Sequence, residues 1–248
     1  MRELDLREIL QNGKRIVFFG GAGTSTESGI PDFRSGDGLY NADHTSQYTP
    51  EEILSRSFFE RYPEAFYSFY KAKMIYPDAK PNAAHRALAR MEQDGRLSAV
   101  ITQNIDGLHQ AAGSQKVLEL HGSVHRNRCI RCGKAFSLTE MLAREETIPL
   151  CPACGGVIKP DVVLYEETLN MAVLDKAIQA IVAADVLIVG GTSLSVNPAA
   201  GLVRYFRGNP LVLINKSATP YDNSADLVIR EGIGKVLEEA YPPPTETR

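Results

Sequence analysis

The chain has 248 residues, 44% hydrophobic and 23% charged, with a formal net charge of −3 and a pI near 6.0. A chain of this length buries roughly 70–75% of its unfolded surface, enough for one large domain or one domain with a small insert. No sustained basic run favours nucleic acid or membrane binding, no apolar run approaches the ~18 residues of a membrane span, and the charged start MRELDLREIL lacks a signal-peptide core, so a cytoplasmic protein without nucleic-acid or membrane partners is expected.

In chain order, the first ten residues read as an amphipathic helix. The apolar run Ile16-Val17-Phe18-Phe19 then has the character of a buried parallel strand. It leads into GGAGTSTESGIPDFRS at 20–35. Glycines directly after such a strand allow a tight turn and a close approach to a ligand, and free N–H groups beyond it suit phosphate. The dinucleotide fingerprint is broken twice, however. Its third glycine is Thr26, and Asp43 lies in a polar loop and not at a strand end. The turn Gly29-Ile30-Pro31-Asp32-Phe33-Arg34 then presents an acid, an aromatic ring and a guanidinium. This segment alone is compatible with a nucleotide site or with a glycine-rich structural turn.

Residues 31–80 are rich in Tyr and Phe and interrupt the strand–helix rhythm. Asn82 is placed to cap a helix reaching Gln93, with Gly95 as its stop. A strand at 99–102 runs into Thr102-Gln103-Asn104-Ile105-Asp106-Gly107. Polar groups at such a strand end either meet a ligand or form a solvated Asx turn. A strand at 117–120 delivers His121-Gly122, where a histidine suits general-base work. The other histidines are less well placed: His44 in a polar loop, His85 structural within a helix, His109 and His125 in supporting or surface positions.

Cys129-x2-Cys132 and Cys151-x2-Cys154, separated by eighteen residues, have zinc-ribbon spacing. Each pair is followed by a glycine, Gly133 or Gly155. Four thiolates complete a tetrahedron, so a structural zinc with no open catalytic position is expected. A redox pair or disulfides are the alternative. Further strands are expected at 186–189, 211–214 and 227–229, with helices at 171–183, 198–206 and 235–240. Their strand ends offer Thr192, Ser193 and Asn215, groups suited to phosphate or ribose. Alternating strands and helices indicate a parallel, doubly wound α/β sheet, with 31–80 and 122–160 as insertions forming a smaller domain. A Pro-rich tail at 241–248 is expected to be disordered.

Taken together, GAGTSTESGIPDFRS at 21–35, TQNIDGLH at 102–109, LHGS at 120–123, the four cysteines, GTSLSVNPAA at 191–200 and LINKSATPYD at 213–222 resemble the sirtuin family of NAD-dependent protein lysine deacylases. The likeness runs from about residue 8 to 240. It implies a doubly wound, Rossmann-like parallel sheet (1–30, 81–121, 162–240), a cofactor loop and helical insert (31–80), a zinc module (122–161) and a tail (241–248). It also implies acetyl transfer from an acetyl-lysine protein or peptide to ADP-ribose, with release of nicotinamide. His121 would be the general base and Asn104 a second catalytic group. Ala22, Thr26, Thr192, Ser193 and Asn215 would line the adenosine and phosphates of NAD, and Ile233 the adenine. Gln103 would reach the nicotinamide ribose, Ile105 and Asp106 would shape the nicotinamide pocket, and Phe33 and Arg34 would lie on the mobile cofactor loop. Cys129, Cys132, Cys151 and Cys154 would hold one zinc. Two rival functions are an NAD-dependent mono-ADP-ribosyltransferase and a zinc-ribbon interaction module without catalysis.

Two departures stand out. The family's Thr-Gly-Ala-Gly begins here with Gly20, and its aromatic-Gly-Glu after the zinc module becomes Tyr165-Glu166-Glu167. In the Tyr-x-x-Arg pair of family members that prefer acidic acyl groups, Tyr67 is present but Tyr70 takes the arginine's place. A buried acyl carboxylate would lack its cation, so neutral acyl groups, acetyl first, are expected.

Overall fold

The computed structural model describes residues 5–32 and 47–244. Phe33, Arg34, Asp43 and His44 lie outside the described residues. The chain opens with α1 (Leu6–Asn12), whose first turn is capped by the Asp5 side chain accepting from the Arg7 N–H at 2.8 Å. β1 (Ile16–Gly20) follows and is buried throughout. Three helices rich in aromatics come next: α2 (Pro50–Ile53), α3 (Arg56–Arg61) and α4 (Pro63–Lys73). Then come α5 (Ala83–Gln93), β2 (Leu97–Thr102), the single turn α6 (Leu108–Ala111) and β3 (Val117–Glu119). The cysteine region contains β4 (Gly122–Cys129), β5 (Ala135–Ser137), α7 (Leu138–Leu142) and β6 (Ile158–Val162). The chain finishes with α8 (Met171–Ala183), β7 (Val186–Gly190), β8 (Leu211–Ile214), β9 (Leu227–Ile229) and α9 (Ile233–Ala240).

Among the described residues, the main sheet has strand order β3-β2-β1-β7-β8-β9 and every pairing in it is parallel. Alternation along β1 explains why its run is apolar at every position. Ile16 and Phe18 enter the core shared with α1, α5 and α9, whereas Val17 and Phe19 enter the core shared with α8. Each of these four side chains is fully buried and so contributes roughly 1.5–3 kcal/mol. The sheet is therefore wound on both faces.

The two insertions share one apolar cluster. Phe58, Phe59, Phe66, Tyr67 and Tyr70 from α3 and α4 pack with Phe136, Met141, Ile158 and Val162 from the cysteine region. There β5, β4 and β6 form an antiparallel three-stranded sheet.

Two expectations need correction. The stretch expected as a helix at 198–206 is a 3-10 helix, Ala199–Tyr205. Pro198 has no N–H to extend an α ladder, and Gly201 weakens α propensity. Tyr241, expected in a disordered tail, is docked instead. Its hydroxyl bonds Asp94, and its carbonyl accepts from Arg90 at 2.8 Å.

Candidate active site

In the order β3-β2-β1-β7-β8-β9 the connections reverse direction between β1 and β7, and such a switch point opens a crevice beyond the strand C-termini. The loops leaving these two strands touch there. The Gly23 N–H donates to the Gly191 carbonyl at 2.8 Å, and a Cβ on Gly23 would sit 2.8 Å from Gly191 Cα, so no larger residue fits. Thr192 is buried at the same place and accepts from Gln103 Nε2 at 3.1 Å and from the Leu194 N–H at 3.2 Å. Leu194 has φ +53, a left-handed conformation uncommon for a residue with a Cβ.

Beside this crevice a polar knot joins β1's loop to the end of β2. Asn104 Nδ2 donates to Ser25 Oγ at 3.0 Å, and Ser25 Oγ donates to Asp106 Oδ2 at 2.7 Å. Asn104 and Asp106 thus converge on one hydroxyl. Sequence reasoning passed over Ser25. Its signal was a hydroxyl inside a glycine loop, with no indication of its distant partners. The Leu108 N–H bonds Asp106 Oδ1 at 2.9 Å, and the His125 ring bonds the Asp106 carbonyl at 2.9 Å. Burial raises the Asp106 carboxyl above its ordinary value, against the lowering effect of the Leu108 N–H and the Ser25 hydroxyl.

His121 lies in the turn between β3 and β4. Its Nδ1 is 3.0 Å from the Gln103 carbonyl oxygen. A carbonyl only accepts, so Nδ1 carries the hydrogen and Nε2 keeps a lone pair. Burial lowers the ring's pKa, and the Gln103 carbonyl opposes that in part. The His121 carbonyl in turn accepts the Val163 N–H at 3.0 Å, which ties the histidine to the strand leaving the cysteine region.

The remaining predicted residues among those described follow the C-terminal ends of the sheet strands. Ala22 and Thr26 lie on short 3-10 turns after β1, and Thr26 Oγ1 donates to the Gly23 carbonyl at 3.1 Å. Ser193 Oγ is 2.7 Å from Ser195 Oγ at the surface, and Asn215 Nδ2 donates to the Ser217 carbonyl at 2.8 Å. Ile233 opens α9, is 3% exposed and belongs to the core of that sheet face. Ile105 packs toward the second cluster, and its carbonyl accepts the Val124 N–H at 3.0 Å. Two supports were not anticipated. Asn82 Nδ2 holds the first loop through the Thr24 carbonyl at 2.8 Å and Ser28 Oγ at 3.0 Å. Glu27 accepts the Gly234 N–H at 2.9 Å, an anion at the start of α9.

The four cysteine sulfurs lie within 4.8 Å of one another, with Cys129–Cys154 at 3.5 Å and Cys132–Cys151 at 3.8 Å. Zinc with bonds of about 2.3 Å sets tetrahedral sulfurs about 3.8 Å apart, whereas a disulfide needs about 2.0 Å. The cysteines are unbridged and fit one structural zinc. Gly133 and Gly155 take φ of +75° and +69°, the left-handed turns that close the two knuckles. Backbone N–H groups of Cys132 and Arg131 push the Cys129 thiol below its ordinary value, while the neighbouring sulfurs push Cys154 above it.

The model of the Sir2 family matches residues 21–198, from the first loop at the switch point to the loop after β7. The chain belongs to the Sir2 family. It is 60% identical over 234 residues to a Clostridium acetobutylicum protein named NAD-dependent protein deacetylase, covering 94% of this chain and 96% of that one. It also resembles a solved complex of Sir2 with a p53 peptide and NAD+, with a TM-score of 0.83, 39% identity and coverage of 96% and 97%. A Sir2 variant solved with deacetylated p53 peptide and 3'-O-acetyl ADP ribose gives a TM-score of 0.85, 39% identity and coverage of 94% and 96%.

Against the Sir2 pattern, this chain's departures have local causes. A Cβ at Gly20 would meet the Phe18 ring at 2.5 Å, so the large Phe18 requires the small neighbour. In this Sir2-family chain Tyr67 and Tyr70 are both fully buried. The Tyr67 hydroxyl donates to the Ile158 carbonyl at 2.7 Å, and Tyr70 stacks on Phe66 with ring centroids 5.6 Å apart. Burial raises both phenols well above their ordinary value, so neither supplies charge.

Proposed function

We infer that this chain is an NAD-dependent protein lysine deacetylase, which moves the acetyl group of an acetyl-lysine protein or peptide onto ADP-ribose and releases nicotinamide. The observation that carries the reading is the state of His121: Nδ1 committed to the Gln103 carbonyl, the ring kept neutral by burial, and Nε2 left as a base. NAD, when bound, would supply the glycosidic carbon that the acetyl oxygen captures and the ribose hydroxyl that receives the acetyl group, with one water consumed as the lysine amine leaves.

His121 Nε2 takes the proton of that hydroxyl. Asn104, oriented by Ser25, positions the sugar, and Asp106, held by Ser25 and the Leu108 N–H, reads the carboxamide of nicotinamide. Ile105 walls the same pocket, and Gln103 reaches the ribose beside it. Ala22, Thr26, Thr192, Ser193 and Asn215 line the phosphates and adenosine, with the edge of Ile233 at the adenine.

In this reading 1–30, 81–121 and 162–240 form the NAD-holding domain, 31–80 the helical insert, 122–161 the zinc module and 241–248 the tail. The peptide lies between the two parts and pairs as an added strand. The phenols at 67 and 70 leave a neutral acyl group favoured, acetyl first. The protein acts in the cytoplasm; among the described residues no helix is long and apolar enough to cross a membrane.

The test is mass spectrometry of an acetyl-lysine peptide incubated with the protein, with and without NAD, beside His121→Ala. NAD-dependent loss of acetyl with formation of O-acetyl-ADP-ribose, both absent in the variant, is the expected result. ADP-ribose attached to protein while the acetyl group stays on the peptide would replace the reading with a transferase.

A further inference from the structure

The segment leaving β6 carries Glu166 with φ +73, a backbone region that side chains with a Cβ rarely adopt. It stands where the Sir2 pattern has glycine. The conformation is held by the side chain itself. Glu166 Oε2 accepts the Ser57 N–H at 2.9 Å, and Oε1 accepts the Ser57 hydroxyl at 2.9 Å. Ser57 lies in the first turn of α3, where a backbone N–H has no partner within the helix and a carboxylate is favoured.

The neighbouring residues are held on both sides. The Val163 N–H bonds the carbonyl of His121 at 3.0 Å. The Tyr165 N–H donates to the Leu54 carbonyl, and the Arg56 N–H donates to the Tyr165 carbonyl, both at 3.0 Å. Glu167 Oε2 takes the Leu164 N–H at 2.9 Å and Lys159 Nζ at 3.2 Å. Five residues therefore span from the general base to the helical insert. Tyr165, 38% exposed, is presented between these anchors.

We propose that Glu166 and Ser57 form a latch that fixes the segment 163–167, which runs from the general base to the helical insert, between the two parts where the deacetylase reading places the peptide, so that Glu166 is a positioning residue setting affinity for the acetyl-lysine peptide. The inference rests on the deacetylase reading. Glycine at this position would relieve the backbone but leave the segment to the bonds of its neighbours alone, without a side-chain tie to α3. Glutamate accepts an unfavourable φ and gains two directed bonds to the opposite side of the cleft. Both partners lie at the surface, so the latch adds little to global stability and its effect is local.

The test compares wild type with Glu166→Ala, Glu166→Gly and Ser57→Ala in steady-state deacetylation, with anisotropy of a fluorescein-labelled acetyl-lysine peptide as a binding readout independent of turnover. Peptide KM and Kd are expected to rise about tenfold in Glu166→Ala, the size of losing charge-assisted hydrogen bonds, with the KM for NAD unchanged. Glu166→Gly, which relieves the positive φ that Glu166→Ala keeps, is expected to melt above Glu166→Ala without recovering peptide affinity. Ser57→Ala, which leaves the strained residue in place, should show a smaller loss, and adding it to Glu166→Ala should cost nothing further. Peptide KM and Kd within about twofold of wild type in all three variants would overturn the latch. Absence of NAD-dependent deacetylation by the wild type would instead overturn the functional reading on which it rests.

Discussion

Lowering the pH from 7 to 5 should destabilise this protein through two buried histidines that take no part in the chemistry. His85 is fully buried and His109 is 1% exposed, and their ring centroids are 4.7 Å apart. His85 Nδ1 accepts the Asn82 N–H at 3.3 Å, but His85 Nε2 and both ring nitrogens of His109 have no hydrogen-bond partner among the described residues. Burial first, then Arg86, holds His85 down to about 4, and burial first, then His85, holds His109 down to about 3. In the unfolded chain each titrates near 6.5, so between pH 6.5 and about 4 the unfolded state binds protons that the folded state refuses. Stability is therefore complete above 6.5 and falls as the pH drops. At pH 5 each ring lies about 1.5 pH units below its unfolded pKa, a loss of about 2 kcal/mol, or about 4 for the pair. The assay is urea unfolding of wild type and His109→Leu at pH 7 and 5. Comparing the two changes cancels the zinc ligands and carboxylates common to both proteins. The variant is expected to lose about 2 kcal/mol less than wild type over this interval. An equal loss in both proteins would show that His109 is charged in the fold and refute the reasoning.

Other outcomes can be checked with similar economy. Because burial lowers the pKa of His121 and the base works unprotonated, the acid limb of kcat/KM should have its midpoint below pH 6.5, and a midpoint at 7 or above would contradict it. Ser25→Ala leaves Asn104 Nδ2 and Asp106 Oδ2 without their common partner, at a cost of about 1–3 kcal/mol in site organisation. Initial rates at varied NAD should show kcat/KM down by roughly one to two powers of ten, with a melting temperature lowered by several degrees. Chelation should release one zinc per chain and loosen the aromatic cluster, because Cys129 and Cys151 share that cluster with Tyr67 and Phe136. Near-UV circular dichroism checks this, and an unchanged spectrum after metal loss would refute it.

Much of this protein was legible in the chain because the signals are local. Short Val/Ile/Leu runs alternating with helical stretches read as buried parallel strands, and that alternation implies a doubly wound sheet. Two C-x-x-C pairs imply a closed four-sulfur site by spacing alone, and a histidine directly after a strand falls at the edge where ligands gather. Pairings between distant residues had no such signal. Ser25 meets Asn104 and Asp106 only because β1 and β2 lie side by side. His85 and His109 touch only because α5 packs on α6. Tyr241 reads as the start of a loose tail until α9 brings it to Arg90 on α5 and to Asp94 just beyond that helix. The glutamate in place of glycine at 166 looks like a simple departure until the fold sets Ser57 against it. Local periodicity and turn chemistry determine what each segment can be; which segments meet is decided by burying several apolar faces at once, and only the folded chain satisfies them all.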